Sequence, residues 1–192
     1  MFPLAAPLVL ASQSPRRRQI LEMLGFAFTV QAGDVDETPP PGAPAHEIPR
    51  LLAERKALAL GALRPEALTL ASDTLVEIDG EVLGKPADPA EALAMLRRLN
   101  GRPHRVYTGV ALTRGGVLAG AATGRTEVVF APWSEADLAS YARSGEPLDK
   151  AGSYAIQGHG AFLVERINGC FYNVMGLPVQ ETLTLLKPFR AA

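Results

Sequence analysis

Short apolar runs alternate with capped helical stretches along this 192-residue chain, and that alternation restricts the fold more than any other feature. Leu8 to Ala11 reads as a buried strand, and Ser14-Pro15 at once supplies an N-cap and a first helical residue. The helix runs to about Leu24, with Gly25 as its stop. Phe26 to Gln31 reads as a strand, and the proline-rich stretch Asp34 to Pro49 as a surface loop. A helix follows through Leu51, Leu52, Leu58 and Leu63. Leu68 to Ala71 is another buried strand that ends at Ser72-Asp73, and Thr74 to Ile78 pairs with Glu81 to Leu83 across an Asp79-Gly80 turn. Asp88-Pro89-Ala90-Glu91 is a capping box whose helix ends near Asn100-Gly101. Arg105 to Thr113 and Val117 to Phe130 read as strands around Arg114-Gly115-Gly116. Ser134 starts a helix that ends at Gly145, Phe162 to Ile167 reads as a strand, and a final helix spans about Pro178 to Leu186. Strands and helices interleave but hairpins also occur, so the predicted class is α/β with a mixed β-sheet and flanking helices.

Composition sets limits on partners. Hydrophobic residues make up 47% and charged residues 20%, enough for a real core. The net charge of −1 argues against a sequence-independent binder of nucleic-acid polymer or anionic membrane, so any anion site must be local. The single cysteine, Cys170, permits no intrachain disulfide and favours a reducing compartment, the cytoplasm. It reads as a packed thiol rather than a nucleophile. The apolar opening Met1 to Ala11 lacks a basic segment before it and is interrupted by Pro3 and Pro7. It reads as a first strand, not a targeting segment. No window approaches the ~18 uncharged apolar residues of a transmembrane helix.

Four segments carry chemistry. Ser12-Gln13-Ser14-Pro15-Arg16-Arg17-Arg18 spans a strand-to-helix junction. Arginines in a first helical turn oppose the helix dipole, which makes sense if an anion binds there, and guanidinium suits phosphate. The competing reading is a solvated basic face. Asp73 in Ala71-Ser72-Asp73-Thr74 stands at a strand end, where open α/β sheets bind ligands, and suits metal ligation or proton transfer from water. Taken alone, it reads more readily as a turn aspartate. Lys85 in Gly84-Lys85-Pro86 offers a point charge for a phosphate oxygen, but no Walker A spacing precedes it. In Asp149 to Gly160, Gln157 sits among glycines and could read a base edge with its amide. His159 reads as an exposed loop residue, and His46, His104 and His159 show no metal-ligand spacing.

Together these segments resemble the Maf family from about Leu8 to the C-terminal helix. The resemblance rests on Leu10-Ala11-Ser12-Gln13-Ser14-Pro15-Arg16-Arg17, Glu54-Arg55-Lys56-Ala57, Ser72-Asp73-Thr74, Gly84-Lys85-Pro86, Asp149-Lys150-Ala151-Gly152, Ile156-Gln157-Gly158 and Asn173-Val174-Met175-Gly176-Leu177-Pro178. It implies one domain over 1–192, an elongated mixed sheet in two lobes around a central cleft. It also implies hydrolysis of a nucleoside triphosphate to monophosphate and pyrophosphate with a divalent metal, Mg²⁺ or Mn²⁺. Asp73 matches the family's proton acceptor. Arg16, Thr74 and Gln157 match positions tied to substrate choice. Ser12, Arg17, Glu37, Lys56 and Lys85 match other active-site positions, with Glu37 or Asp73 as metal ligands. The Ile-Gln-Gly form resembles the branch acting on dTTP and UTP. Ser153, Ala155 and Cys170-Phe171 depart from common members.

Two other readings stay open. One keeps the chemistry on a different base, such as a modified nucleotide or 7-methyl-GTP. The other is a non-enzymatic nucleotide sensor that regulates cell division through a protein partner. The sequence leaves the oligomeric state open, a homodimer included.

Overall fold

The computed structural model describes residues 2–191. Its strands are β1 (Leu8–Leu10), β2 (Phe28–Val30), β3 (Leu68–Ile78), β4 (Glu81–Leu83), β5 (Pro103–Arg114), β6 (Val117–Phe130) and β7 (Val164–Asn168). Its α-helices are α1 (Pro15–Met23), α2 (Ile48–Gly61), α3 (Pro89–Leu99), α4 (Glu135–Ala142), α5 (Phe171–Met175) and α6 (Val179–Leu186). The sheet order is β2-β1-β3-β5-β6-β7, with β4 paired to β3. β1 is parallel to β2 and β3, whereas β4 runs antiparallel to β3 and β7 antiparallel to β6. The sheet is therefore mixed, as the sequence predicts. The Asp79-Gly80 and Gly115-Gly116 turns both place two successive residues at positive φ, the geometry that matches the twist of a two-residue hairpin. Among the described residues no helix is long and apolar enough to cross a membrane.

Three expectations need correction. Asp73 does not end a strand: β3 runs unbroken through Ser72-Asp73-Thr74. Polar side chains do not stop a strand whose backbone stays paired and whose buried hydroxyl finds a partner, here Ser72 Oγ donating to the Gly176 carbonyl at 2.8 Å. α2 stops at Gly61 and leaves Leu63 71% exposed, because Pro65 disfavours helical geometry at Arg64. β7 begins at Val164, after a 3-10 turn over His159–Leu163. One element has no counterpart in the sequence reading: α5 carries the buried Asn173, whose Nδ2 donates to the Val106 carbonyl and to Thr126 Oγ1, both at 3.1 Å.

The chain divides into two compact units. One takes residues up to Asp73, Thr108–Gly124 and those from Gly176 onward; the other takes Thr74–Tyr107 and Arg125–Met175. The first unit has a small-residue core of Val9, Ala11, Ala53, Ala57, Leu60, Ala67, Ala71 and Ala111. Small residues let α2 lie close on the sheet. A Cβ at Gly109 of β5 would fall 2.2 Å from the backbone nitrogen of Arg50, and one at Gly61 would fall 2.3 Å from Thr113 Oγ1. Both ends of α2 are thus seated against β5, which fixes Lys56 midway along the helix. The second unit is built on larger side chains. α3 buries Ala92, Met95, Leu96 and Leu99 at helical spacing against Phe130, Leu138, Tyr154 and Leu163. Asp88 caps α3 as predicted, its Oδ1 accepting from the Glu91 backbone at 2.8 Å.

Candidate active site

The site builds outward from the β1–α1 junction in the first unit. Ala11 N still donates to the Leu70 carbonyl, at 2.8 Å, so the chain leaves the sheet only at Ser12. Pro15 opens α1, placing Arg16 and Arg17 in a first turn that holds no acidic residue. Ser14 occupies the N-cap position, but its side chain makes no cap bond. The buried Ser12 hydroxyl organises the loop instead, accepting from Ser14 N at 3.2 Å and from Arg17 Nη1 at 3.0 Å. Arg17 Nε donates to the Gly176 carbonyl at 2.9 Å, the same oxygen that Ser72 Oγ reaches. Burial lowers the Arg17 pKa, the Asp73 charge counters it, Arg16 lowers it further and Glu37 raises it. Guanidinium keeps its charge at neutral pH under such shifts. Arg18 points elsewhere, into an exposed pair with Glu22 at 2.7 Å.

A second group meets at Lys56. Its ammonium lies 2.6 Å from Asp73 Oδ1 and 2.8 Å from Glu37 Oε1. Lys56 and Asp73 are only 13% and 16% exposed, so this pair is far better shielded from solvent than a surface ion pair. Glu37 arrives on an irregular loop. Arg55, the residue before Lys56, ties that loop down: Nη1 donates to the Asp36 carbonyl at 2.7 Å and to the Thr38 carbonyl at 3.2 Å. Asp36 Oδ1 accepts from Thr38 N at 2.8 Å, which tightens the turn around Glu37. Arg17 and Lys56 thus match the two carboxylates, Glu37 and Asp73, and Arg16, near enough to lower the Arg17 pKa, leaves the local excess positive although the chain is net negative.

The remaining sequence-predicted residues belong to the second unit. Thr74 follows Asp73 on β3 and is half-buried, while Lys85 is exposed just beyond β4. Gln157 is exposed, between the buried Ile156 and the exposed Gly158. His159 is exposed and Cys170 half-buried, the placements expected of bystanders. No group of three or more His, Cys, Asp or Glu among the described residues could hold a metal ion by itself.

A model of the Maf-like protein family matches residues 7–189. The chain belongs to the Maf family. It is 50% identical over 191 residues to a protein of Myxococcus xanthus (strain DK1622) named dTTP/UTP pyrophosphatase, with 96% of each chain covered. It is 48% identical over 189 residues to a protein of the same name from Salinibacter ruber (strain DSM 13855 / M31), covering 97% of this chain and 93% of that one. Among solved structures it is similar to a HAM1 protein from Coxiella burnetii, at a TM-score of 0.47 and 21% identity over 67% of this chain and 74% of that one.

Sequence reasoning about this Maf chain overlooked Arg55 and the Gly176 carbonyl as parts of the cluster. Arg55 left one legible trace, since Asp36-Glu37-Thr38 has the form of an Asx turn that needs an anchor. The role of a backbone carbonyl 159 residues from its guanidinium leaves no trace in side-chain types.

Proposed function

We propose that this Maf chain is a nucleoside triphosphate pyrophosphatase acting on dTTP and UTP in the cytoplasm, releasing the monophosphate and pyrophosphate. The observation that carries this reading is the Asp73–Lys56–Glu37 cluster beside a helix start loaded with Arg16 and Arg17. The names of the two curated relatives support the substrate class. In this reading Arg16, Arg17 and Lys56 neutralise the triphosphate, and the N–H groups at the start of α1 add donors that strengthen as charge develops. Ser12 and the Gly176 carbonyl hold the Arg17 guanidinium in one orientation. Asp73 orients the attacking water and takes its proton, with Lys56 fixing the carboxylate. Thr74, Lys85 and Gln157 enter on the family resemblance alone, Lys85 for a phosphate oxygen and Gln157 for the base.

A divalent ion, Mg²⁺ or Mn²⁺, is part of the proposal. Glu37 and Asp73 would hold it, and the fit is chemical: two hard oxygen donors already converge on one positive charge. Such ions commonly use one or two carboxylates and complete their shell with phosphate oxygens and water. When bound, the ion would polarise the phosphoryl group and lower the pKa of water.

The test is a nucleoside triphosphate panel in ¹⁸O water with Mg²⁺ or Mn²⁺. dTTP and UTP should outrun CTP and the purines, with label on the monophosphate. Label in inorganic phosphate would mean γ-cleavage, and preferential turnover of a purine or of 7-methyl-GTP would reassign the base.

A further inference from the structure

The second unit contains a clamp around Gln157 in which Gln157 takes no part. Glu146 Oε1 accepts from His159 N at 3.1 Å. Its Oε2 accepts from Gly160 N at 2.8 Å and from the Tyr141 hydroxyl at 2.8 Å. The Tyr141 oxygen in turn accepts from Ala155 N at 3.1 Å. The chain is therefore gripped two residues before Gln157 and two residues after it, from α4 and from the turn that follows α4. Consecutive N–H groups such as those of His159 and Gly160 form an anion-binding nest, and here the anion is the protein's own carboxylate.

The fit is close. A Cβ at Gly158 would lie 2.5 Å from Glu146 Oε1, and one at Gly160 would lie 2.3 Å from the Tyr141 oxygen. The clamp is itself anchored. Tyr141 is 5% exposed and belongs to the second unit's core. Lys150 Nζ donates to the Glu146 carbonyl at 2.6 Å. Burial alone would raise the Glu146 pKa, but the Tyr141 hydroxyl, the two loop N–H groups and Lys150 outweigh it, so the carboxylate stays ionised.

We propose that Glu146 and Tyr141 are positioning residues for base choice, holding the Ala155–Gly160 loop so that the Gln157 amide meets the thymine or uracil edge in one orientation. This rests on the reading of Gln157 as base reader. The physical argument is that an exposed side chain on a glycine-flanked loop has no fixed direction of its own, whereas hydrogen-bond discrimination requires placement within about 0.5 Å and 10–20°. A loosened loop still contains Gln157 but no longer presents its donor and acceptor together, so a mismatched base is refused less strongly.

The experiment compares kcat/KM for dTTP, for CTP and for a base-free deoxyribose 5′-triphosphate. It uses wild type, Glu146→Gln, Tyr141→Phe, Gln157→Ala and the double variant Glu146→Gln/Gln157→Ala. Glu146→Gln keeps size and one acceptor oxygen, and should lower the dTTP-to-CTP ratio about tenfold. Tyr141→Phe should lower it severalfold. Turnover of the base-free substrate should not change in either, which a general loss of structure would not allow. In the Gln157→Ala background, Glu146→Gln should leave the ratio where Gln157→Ala alone puts it. If Gln157→Ala shifts the ratio while Glu146→Gln and Tyr141→Phe do not, the positioning role is overturned and the base reader survives. If Gln157→Ala has no effect, the base reader and the clamp's role in specificity fall together. Equal losses on all three substrates would reduce Glu146 and Tyr141 to structural residues.

Discussion

Lys56 holds two carboxylates at once, and replacing either changes what the other can do. Asp73→Asn preserves shape but removes the charge that faces Lys56 and, in the proposed mechanism, the proton acceptor with it. Turnover should fall by roughly 10²–10⁴ or more, as for loss of a general base, with circular dichroism unchanged. Activity within threefold of wild type would remove Asp73 from the mechanism. A second residue-scale test concerns stability. His104 is 3% exposed, its Nε2 lies 2.8 Å from the Tyr154 hydroxyl, and burial pushes its pKa from 6.5 down to about 4. Between those values the unfolded chain binds more protons than the folded one. Stability is therefore intact above pH 6.5 and is lost as pH falls through the window, by about 3 kcal/mol in full. Urea unfolding should show a shallower decline between pH 6.5 and 4.5 in His104→Phe than in wild type, even though the variant starts out less stable. Equal slopes would clear the imidazole. The family resemblance brings Asp73, Lys56 and Glu37 to one site, but no local pattern in the sequence reveals their contacts or the burial of His104. Asp73, Lys56 and Glu37 lie 17 and 19 residues from one another along the chain, and only the packing of α2 on the sheet brings them to one point.

Elements were far more legible than contacts, because caps and tight turns are local. Asp79-Gly80, Gly115-Gly116 and Asp88-Pro89 each signal a conformation within four residues, and each forms as expected. The sequence pattern breaks β3 at Ser72-Asp73 because the strand's continuity depends on neighbours that no local pattern contains, and it offers no signal for α5, which carries the buried Asn173. Two substitutions separate the effects of an element from those of the site. Asp88→Ala removes the α3 cap and should cost about 0.5–2 kcal/mol with kcat unchanged. Gly109→Ala drives a methyl into the backbone of α2, and overpacking of this kind typically costs about 1–3 kcal/mol. Because Lys56 rides on α2, the second variant should also lose turnover, unlike the first. Denaturant midpoints and steady-state rates on both variants make the comparison, and a Gly109→Ala enzyme with normal kcat would show that Lys56 does not depend on the seat of α2.

For the molecule as a whole, the contrast is between a net charge of −1 and a local excess of cations. Phosphate should bind at one place rather than over a surface. A dTTP analogue with a methylene in place of the α–β bridging oxygen, at a hundred times its Kd with Mg²⁺, should stabilise the fold by about 2.7 kcal/mol. For a chain of this size that raises Tm by roughly 5–10 °C. Duplex DNA at the same phosphate concentration should leave Tm unchanged, and an equal shift would mean a generic anion surface. The cluster also has a birth order. Arg17 is anchored by a carbonyl 159 residues later, and Ser72 meets that oxygen across 104 residues. At about 5–20 residues per second, the ribosome delivers Gly176 roughly 8–30 s after the guanidinium it holds. A nascent chain therefore carries Arg17 for most of its synthesis without the acceptor that aims its guanidinium, and this arrangement is completed only near the end.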